Sequence, residues 1–365
     1  MHSVASGTPQ RAAAASGAAG ASTAAAAGSA RPKLPGWLSG LLYLIGFIIL
    51  ISVTQTVMVQ VLLVLKVASR SIRLEDLQSL DPSRMLGPDG VGLPLWSLIF
   101  ATFTWASLLL TVGYTALMAR WLERAQLTRL GLSWRPTFWR DLLVGIALAT
   151  VLFVSVVGIG AGKDWFNIRS VNSALGALVI TAVGAFILLP YAAVEEISMR
   201  GYLLHAAGRS WGRAGGVLAS TLAFAGLHAL NPDFGKSPLA FLGLLLAGFY
   251  LASAYLITGN LWLAIFIHTG WNLLEGPVFG LPVSGMAAPA SIFNTRITGP
   301  SLWTGGSFGP EAGLLLCLLL VVHIAALWAM APLLRTKSAD SPPADLAPPA
   351  PDSPRLYRAI PVGPE

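Results

Sequence analysis

The sequence predicts an all-α fold, a polytopic membrane bundle of about eight transmembrane helices. Its 365 residues are 55% hydrophobic and only 11% charged, with a mean hydropathy of +0.70. Soluble domains carry roughly 25% charged residues. In addition, long apolar stretches recur along most of the chain, and no soluble-looking block separates them. These observations argue against a water-soluble fold.

The apolar stretches define the helices in order. A spanning helix needs about 20 residues to cross ~30 Å of hydrocarbon. Pro190 interrupts the fourth stretch, but it should kink that helix rather than end it, because neighbouring helices can re-satisfy the freed carbonyl. The stretches lie at about 37–64, 94–118, 141–161, 175–205, 213–231, 238–257, 261–280 and 311–334.

Two tails flank a single membrane domain, which we assign to residues 35–335. Residues 1–34 are rich in Ala, Ser and Gly and lack the apolar core of a signal peptide. Residues 336–365 are rich in Pro and Ala and cannot bury enough apolar surface to order. Both tails are predicted to be disordered. The lone Cys317 excludes a disulfide framework and a thiolate metal cluster.

The formal charge of +7 does not indicate nucleic-acid binding, because the arginines crowd into short loops between apolar stretches. The basic loop after the second stretch should stay inside, which places the protein in the cell membrane with both termini cytoplasmic. This orientation puts Lys66, Arg70 and Arg73 outside, contrary to the rule that positively charged loops stay in the cytoplasm. The basic loop contains Arg120, Arg124, Arg129, Arg135 and Arg140.

The fourth stretch carries ionisable residues in the segment AAVEEISMRGYL. Such groups are costly in a bilayer and by default mark function. Glu196 and Arg200 lie four residues apart and can form a structural ion pair on one helix face. Glu195 is turned about 100° away. We therefore expect Glu195 to be the freer base.

Two further segments supply imidazoles, FAGLH ending at His228 and HTGWN beginning at His268. His268 and Asn272 share a helix face, one turn apart. At ~1.5 Å per residue, Glu195 and these three residues lie roughly 12 to 22 Å from polar turns that the topology puts on one side. They can therefore converge in one buried chamber, where we predict a catalytic site formed by Glu195, Glu196, His228, His268 and Asn272.

A carboxylate beside two neutral imidazoles suits a divalent ion, zinc as first guess, held by Glu195, His228 and His268. The pKa of a bound water then falls from ~15.7 to about 7. Glu195 would pass the proton of that water to the leaving amine, and Asn272 could donate a hydrogen bond to the oxyanion. The predicted reaction is hydrolysis.

In their order on separate helices, Glu195-Glu196-x-x-x-Arg200, Phe224-x-x-x-His228 and His268-x-x-x-Asn272 resemble the CPBP (Abi) intramembrane metalloproteases, which include CAAX prenyl proteases of the Ras-converting-enzyme type. The resemblance covers roughly residues 130–274. It implies an eight-helix core that cleaves membrane-associated peptides, C-terminally prenylated or not. It also implies that Glu195 and His228 activate water, while His268 and Asn272 stabilise the transition state.

Two other functions fit parts of the pattern. A proton-coupled transporter could relay protons through Glu195, Glu196 and the histidines. Transporters usually show internal repeats, and these motifs are not duplicated between the two halves of the chain. A non-catalytic scaffold or immunity factor of the same fold is the other alternative, against which the intact motif set argues.

Overall fold

The computed structural model describes residues 32–70 and 91–335. Most of this part is helical, which confirms the all-α prediction, and one short antiparallel ribbon joins two loops. Apart from residues 32–34, the two predicted tails lie outside the described residues.

The α-helices are α1 (Gly36–Ala68), α2 (Leu93–Met118), α3 (Phe138–Ala161), α4 (Ala174–Glu196), α5 (Leu204–Leu227), α6 (Ala240–Thr258), α7 (Trp262–Leu273), α8 (Ser301–Thr304), α9 (Leu314–Ala329) and α10 (Ala331–Leu334). The strands of the ribbon are β1 (Phe166–Val171) and β2 (Phe293–Ile297), with Phe166 opposite Ile297. π-Helical turns extend α2, α4 and α7 at Ala119–Glu123, Ile197–Leu203 and Leu274–Val278. Short 3₁₀ turns lie at Leu127–Leu130, His228–Leu230, Phe234–Lys236, Gly306–Phe308 and Pro310–Ala312.

Five continuous helical segments in the described part of the chain are long and apolar enough to cross a membrane. The segment 174–230 contains both α4 and α5. Within α5, the backbone of Gly212 is non-helical (φ 70°, ψ 176°) and divides that helix in two. The predicted stretch 213–231 corresponds to the part of this segment beyond Gly212. The predicted stretches 261–280 and 311–334 contain two shorter helices, α7 and α9. Pro190 lies inside α4, which continues to Glu196 as expected.

The outward faces of the helices carry apolar side chains. Leu109 and Leu143 are each 71% exposed, and Leu318 is 53% exposed. Monomeric soluble proteins rarely present such continuous apolar surface to water. The chain is therefore a multi-pass membrane protein whose helices face the lipid bilayer.

One end of the bundle collects the basic turns, and we call it the basic end. The Lys33 amide donates to the Leu122 carbonyl at 3.0 Å, which joins the beginning of α1 to the end of α2. The Arg209 guanidinium pairs with Glu123 at 2.5 Å. Exposed tryptophans surround this end, as expected for side chains at a membrane interface: Trp121, Trp134, Trp139 and Trp211.

The beginning of α7 is anchored at the same end. Gly259 adopts φ +62° and ends α6, after which the Asn260 amide donates to the Ser133 carbonyl at 3.0 Å. The Trp262 indole donates to that carbonyl at 3.0 Å. These contacts fix where α7 begins, and therefore the height of every side chain along it.

The opposite end is covered by two loops, residues 229–239 and 279–313, which we call the roof. The Asn231 amide donates to the Ser284 carbonyl at 3.0 Å, and Ser237 donates to the Ala312 carbonyl at 3.1 Å, so the loops form one cover. Hydrogen bonds from Lys236, at 2.5 Å, and from Ser307 hold the pKa of Asp233 below its usual range.

Close packing of α3 against α7 generates a stability prediction. A methyl group at Gly145 would lie 2.7 Å from Phe266 Cβ, whereas nothing lies within 4 Å of one at Gly158 on the same helix. We expect Gly145→Ala to destabilise the fold by about 1–3 kcal/mol through overpacking. The matched Gly158→Ala should be neutral or stabilising by up to about 1 kcal/mol. Thermal unfolding of both variants in detergent checks this, and equal midpoints would contradict the packing.

Candidate active site

The site is built around the place where α4 changes from α-helix to π-helix. Glu195 and Glu196 are the last α-helical residues, and Ile197–Leu203 form a fully buried π turn. The Tyr43 hydroxyl of α1 donates to Ser198 at 3.1 Å, and its ring stacks on Tyr202 at 4.0 Å. π-Helical turns occur frequently at functional sites. Here the packing of α1 fixes the turn and so the direction of both glutamates.

The Glu196 carboxylate is completely buried and has two partners. Arg200 Nη1 lies 2.9 Å from Glu196 Oε1, the pair that the four-residue spacing predicts. Arg200 also donates to the Gly248 carbonyl at 2.9 Å and lies over the Phe224 ring, 4.5 Å from its centroid. A buried carboxylate needs such compensation because the membrane interior does not solvate it.

The second partner of Glu196 is His268. His268 Nδ1 lies 2.9 Å from Glu196 Oε1, across the interface between α4 and α7. An ionised carboxylate oxygen can only accept, so Nδ1 carries the proton in this contact. In the neutral ring, His268 Nε2 therefore keeps its lone pair. Glu196 thus orients the imidazole.

His228, at the end of α5, is oriented in the same way by the backbone. Its Nδ1 donates to the Phe224 carbonyl at 2.8 Å, since a carbonyl oxygen can only accept. The neutral ring again leaves Nε2 unprotonated. Both imidazoles therefore present the same kind of atom to the centre of the site.

Glu195 lies at that centre. Its Oε2 is 3.9 Å from His268 Nε2 and 4.0 Å from His228 Nε2. This oxygen is buried and has no hydrogen-bond partner among the described residues. The structure thus brings Glu195, Glu196, His228 and His268 together in one chamber.

Asn272 completes the predicted set, but in the described part of the chain it forms no hydrogen bond with the other four residues. It is 3% exposed and lies on α7 one turn after His268. No hydrogen bond joins its side chain to another residue in the ranges 32–70 and 91–335. Its amide is therefore available to a ligand on the His268 face of α7.

The atoms at the centre of the site are of the kinds that bind a divalent ion, but they are not already arranged at metal-binding distances. Two Nε2 lone pairs face one unpartnered carboxylate oxygen, and each Nδ1 is held by an acceptor, as metal-bound imidazoles usually are. In the described part of the chain, however, no group of three or more His, Cys, Asp and Glu side chains is close enough to hold a metal ion. The separations of 3.9 and 4.0 Å exceed the ~3.4 Å edge expected of a tetrahedral zinc shell.

The structure adds residues to this region that the motifs did not indicate. Tyr191, one turn before Glu195, lies beside that carboxylate and within electrostatic range of Glu311. Glu311 accepts from the Trp271 indole at 3.2 Å and from the Ser284 hydroxyl. The available signal was a carboxylate at the edge of the last apolar run, since ionisable residues at membrane depth indicate function by default.

The comparison with protein families agrees with this geometry. Residues 173–274 match a family model described as type II CAAX prenyl endopeptidase Rce1-like. The match spans α4 to α7 and contains all five predicted site residues. It confirms the family resemblance over this segment and indicates a CAAX-type intramembrane protease. Neither the search of curated proteins nor that of solved structures returned a match.

Removal of Arg200 tests how far the site depends on the buried ion pair. We expect Arg200→Met to cost about 3–5 kcal/mol, because it leaves the Glu196 carboxylate without a cation in a dry interior. Lys236→Met removes the partner of Asp233 on the roof, where Lys236 is 73% exposed, and should leave the unfolding midpoint nearly unchanged because solvent screens this pair. Detergent unfolding curves check both. An Arg200→Met variant as stable as Lys236→Met would contradict this account.

Proposed function

We propose that this chain, whose residues 173–274 carry an Rce1-like segment, is an intramembrane endopeptidase that cleaves membrane-associated peptides by direct attack of water. C-terminally prenylated peptides are the first substrates to test. The observation that carries the proposal is the unpartnered Glu195 Oε2, 3.9 and 4.0 Å from two imidazole Nε2 atoms.

The separations suit one water molecule. Atoms 3.9 to 4.0 Å apart are too distant for a direct hydrogen bond. A water oxygen could lie about 2.8 Å from both Glu195 Oε2 and one Nε2. The angle between these two atoms at the water oxygen would be about 90°, which the hydrogen-bonding directions of water tolerate. Glu195 would accept one proton of that water, and an imidazole lone pair would accept the other.

The reaction begins when Glu195 takes a proton from the water as its oxygen attacks the carbonyl carbon of the scissile amide. The carbonyl π electrons move to oxygen, and the Asn272 amide donates a hydrogen bond to the oxyanion that forms. Glu195 then returns the proton to the amide nitrogen. The carbon–nitrogen bond breaks, and the products are a new carboxyl terminus and a new amine.

Glu196 and Arg200 act through position. Glu196 holds His268 Nδ1 and Arg200 neutralises Glu196, so neither takes the water proton. We further propose that Glu195, His228 and His268 would hold a divalent ion, with zinc as first guess. Bound there, it would supply Lewis acidity to the water and the carbonyl oxygen.

The orientation proposed from the arginines puts the basic end in the cytoplasm. His228 is 15 residues beyond Arg213, roughly 22 Å along the helix axis, and immediately precedes the roof. The chamber therefore lies nearer the roof than the basic end, and we propose that peptide substrates approach from the roof side or laterally from the bilayer.

Glu195→Gln tests the proton transfer. The amide cannot accept the proton from water, so we expect kcat to fall at least about 10²- to 10⁴-fold. The measurement is cleavage of prenylated and unmodified membrane peptides by the full chain in detergent. Asp233→Asn, an acid-to-amide change on the roof, should leave the rate unaltered. Undiminished cleavage by the folded Glu195→Gln protein would refute the mechanism.

Chelation tests the ion separately. With zinc held by Glu195, His228 and His268, EDTA should lower cleavage more than about tenfold, and added zinc should restore it. Elemental analysis should find zinc in the wild type and a loss of it in His228→Ala. Full activity in EDTA, together with no metal in the wild type, would reject the ion and leave the water to Glu195 and the imidazoles.

A further inference from the structure

A second pair of acidic side chains lies beside the chamber. We propose that Glu311, which lies beside Glu275, forms an anionic subsite that binds a cationic side chain of the peptide substrate, a lysine or an arginine. This inference rests on the proposed function, because it assumes that a peptide occupies the chamber.

Glu311 is held in place by two donors. The Trp271 indole donates to one of its oxygens, and the Ser284 hydroxyl donates to the other. The backbone is fixed as well: a Cβ at Gly243 would lie 1.8 Å from the Glu311 carbonyl oxygen, so α6 packs directly on the 310–312 turn. The carboxylate is therefore fixed in position before any ligand arrives.

Glu275 is completely buried, and the Trp271 side chain interacts with its carboxyl group as well as with Glu311. Within residues 32–70 and 91–335, no lysine or arginine lies within 4.0 Å of Glu311. A carboxylate that is buried without a cation carries an uncompensated desolvation cost, which a bound cation would relieve. The Glu311 carboxylate therefore lacks the counter-charge that a basic side chain of a peptide can supply.

An independent observation indicates a ligand. The Tyr250 hydroxyl is buried, has no partner within the described residues, and lines the same cavity of about 40 Å³ as Glu311 and His268. Unsatisfied polar atoms in a dry interior are uncommon. Here a phenol and a carboxylate face a space that also reaches the imidazole oriented by Glu196. The subsite is thus continuous with the chamber.

The lining of the cavity favours a lysine or arginine side chain over an inorganic cation. Its walls are mostly apolar, including Leu152, Leu244, Leu316 and Leu320. A calcium or magnesium ion needs about six to eight oxygen ligands, which such walls do not offer. A long cationic side chain places its methylene groups along apolar surface and only its charged head on the carboxylate. One Glu311 carboxylate and the Tyr250 hydroxyl suffice for that head.

The test measures binding in the Glu195→Gln background of the full chain, so that cleavage does not interfere. The probes are fluorescein-labelled farnesylated dodecapeptides in which one lysine, or norleucine as its neutral counterpart, is moved through the positions around the farnesylated cysteine. At one position we expect the lysine peptide to bind at least about tenfold more tightly. Adding Glu311→Gln should reduce that preference to less than about twofold. The norleucine Kd should stay unchanged, which verifies the fold, and Asp233→Asn should retain the preference.

Three results would overturn the inference. They are no lysine preference or no peptide binding at any position, a preference that survives Glu311→Gln, and a Glu311-dependent thermal stabilisation by Ca²⁺, Mg²⁺ or Na⁺ alone without a lysine preference. Failure of the proposed function is distinguishable, because the wild-type chain would then cleave none of the peptides, whereas the lysine preference is an equilibrium measurement that needs no turnover.

Discussion

The buried carboxylate of Glu196 determines the arrangement of the other site residues. It is fully enclosed at the α4–π junction, where it bonds Arg200 on its own helix and His268 on α7. A charge in such a place is stable only when its partners are rigidly supplied. Arg200 is in turn held by the Gly248 carbonyl of α6 and the Phe224 ring of α5. One carboxylate therefore ties four helices together at the height of the chamber, and the imidazole at the centre is oriented by the same bond that stabilises the fold.

Adjacent glutamates acquire different roles from this arrangement. The backbone turns Glu195 away from the cation that neutralises Glu196, so its Oε2 faces the two Nε2 atoms with no donor of its own. Two acids in one site can divide their tasks when their surroundings differ, one fixed in a bonded network and one free to exchange a proton. The π turn contributes because it packs against Tyr43 of α1, which lies far outside the segment that matches the family model. Helices beyond that segment are thus part of the machinery that aims the site.

The sequence predicted those parts of the site that follow from local periodicity. A spacing of four residues placed Glu196 beside Arg200 and Asn272 one turn after His268, and helical rise put the charged and imidazole residues at one depth. Neither rule describes loops, so Glu311 and Ser284 of the roof were missed, since their contact with Trp271 depends on how residues 279–313 fold back. Helix lengths were also only partly predictable. Gly212 divides a continuous apolar pattern through its backbone conformation, which hydropathy does not report.

The balance of charge around the chamber concerns both pairs of acidic residues, Glu195 with Glu196 and Glu275 with Glu311. Among the described residues the region contains four buried or largely buried carboxylates, Glu195, Glu196, Glu275 and Glu311, but one guanidinium, Arg200, and two imidazoles that each already bond an acceptor. Arg200 is committed to Glu196, so little positive charge is left for the other three. Interactions between charges are strong where water is excluded. This charge balance supports both proposals, a divalent ion at Glu195 and a basic side chain at Glu311, because either occupant would supply the missing positive charge.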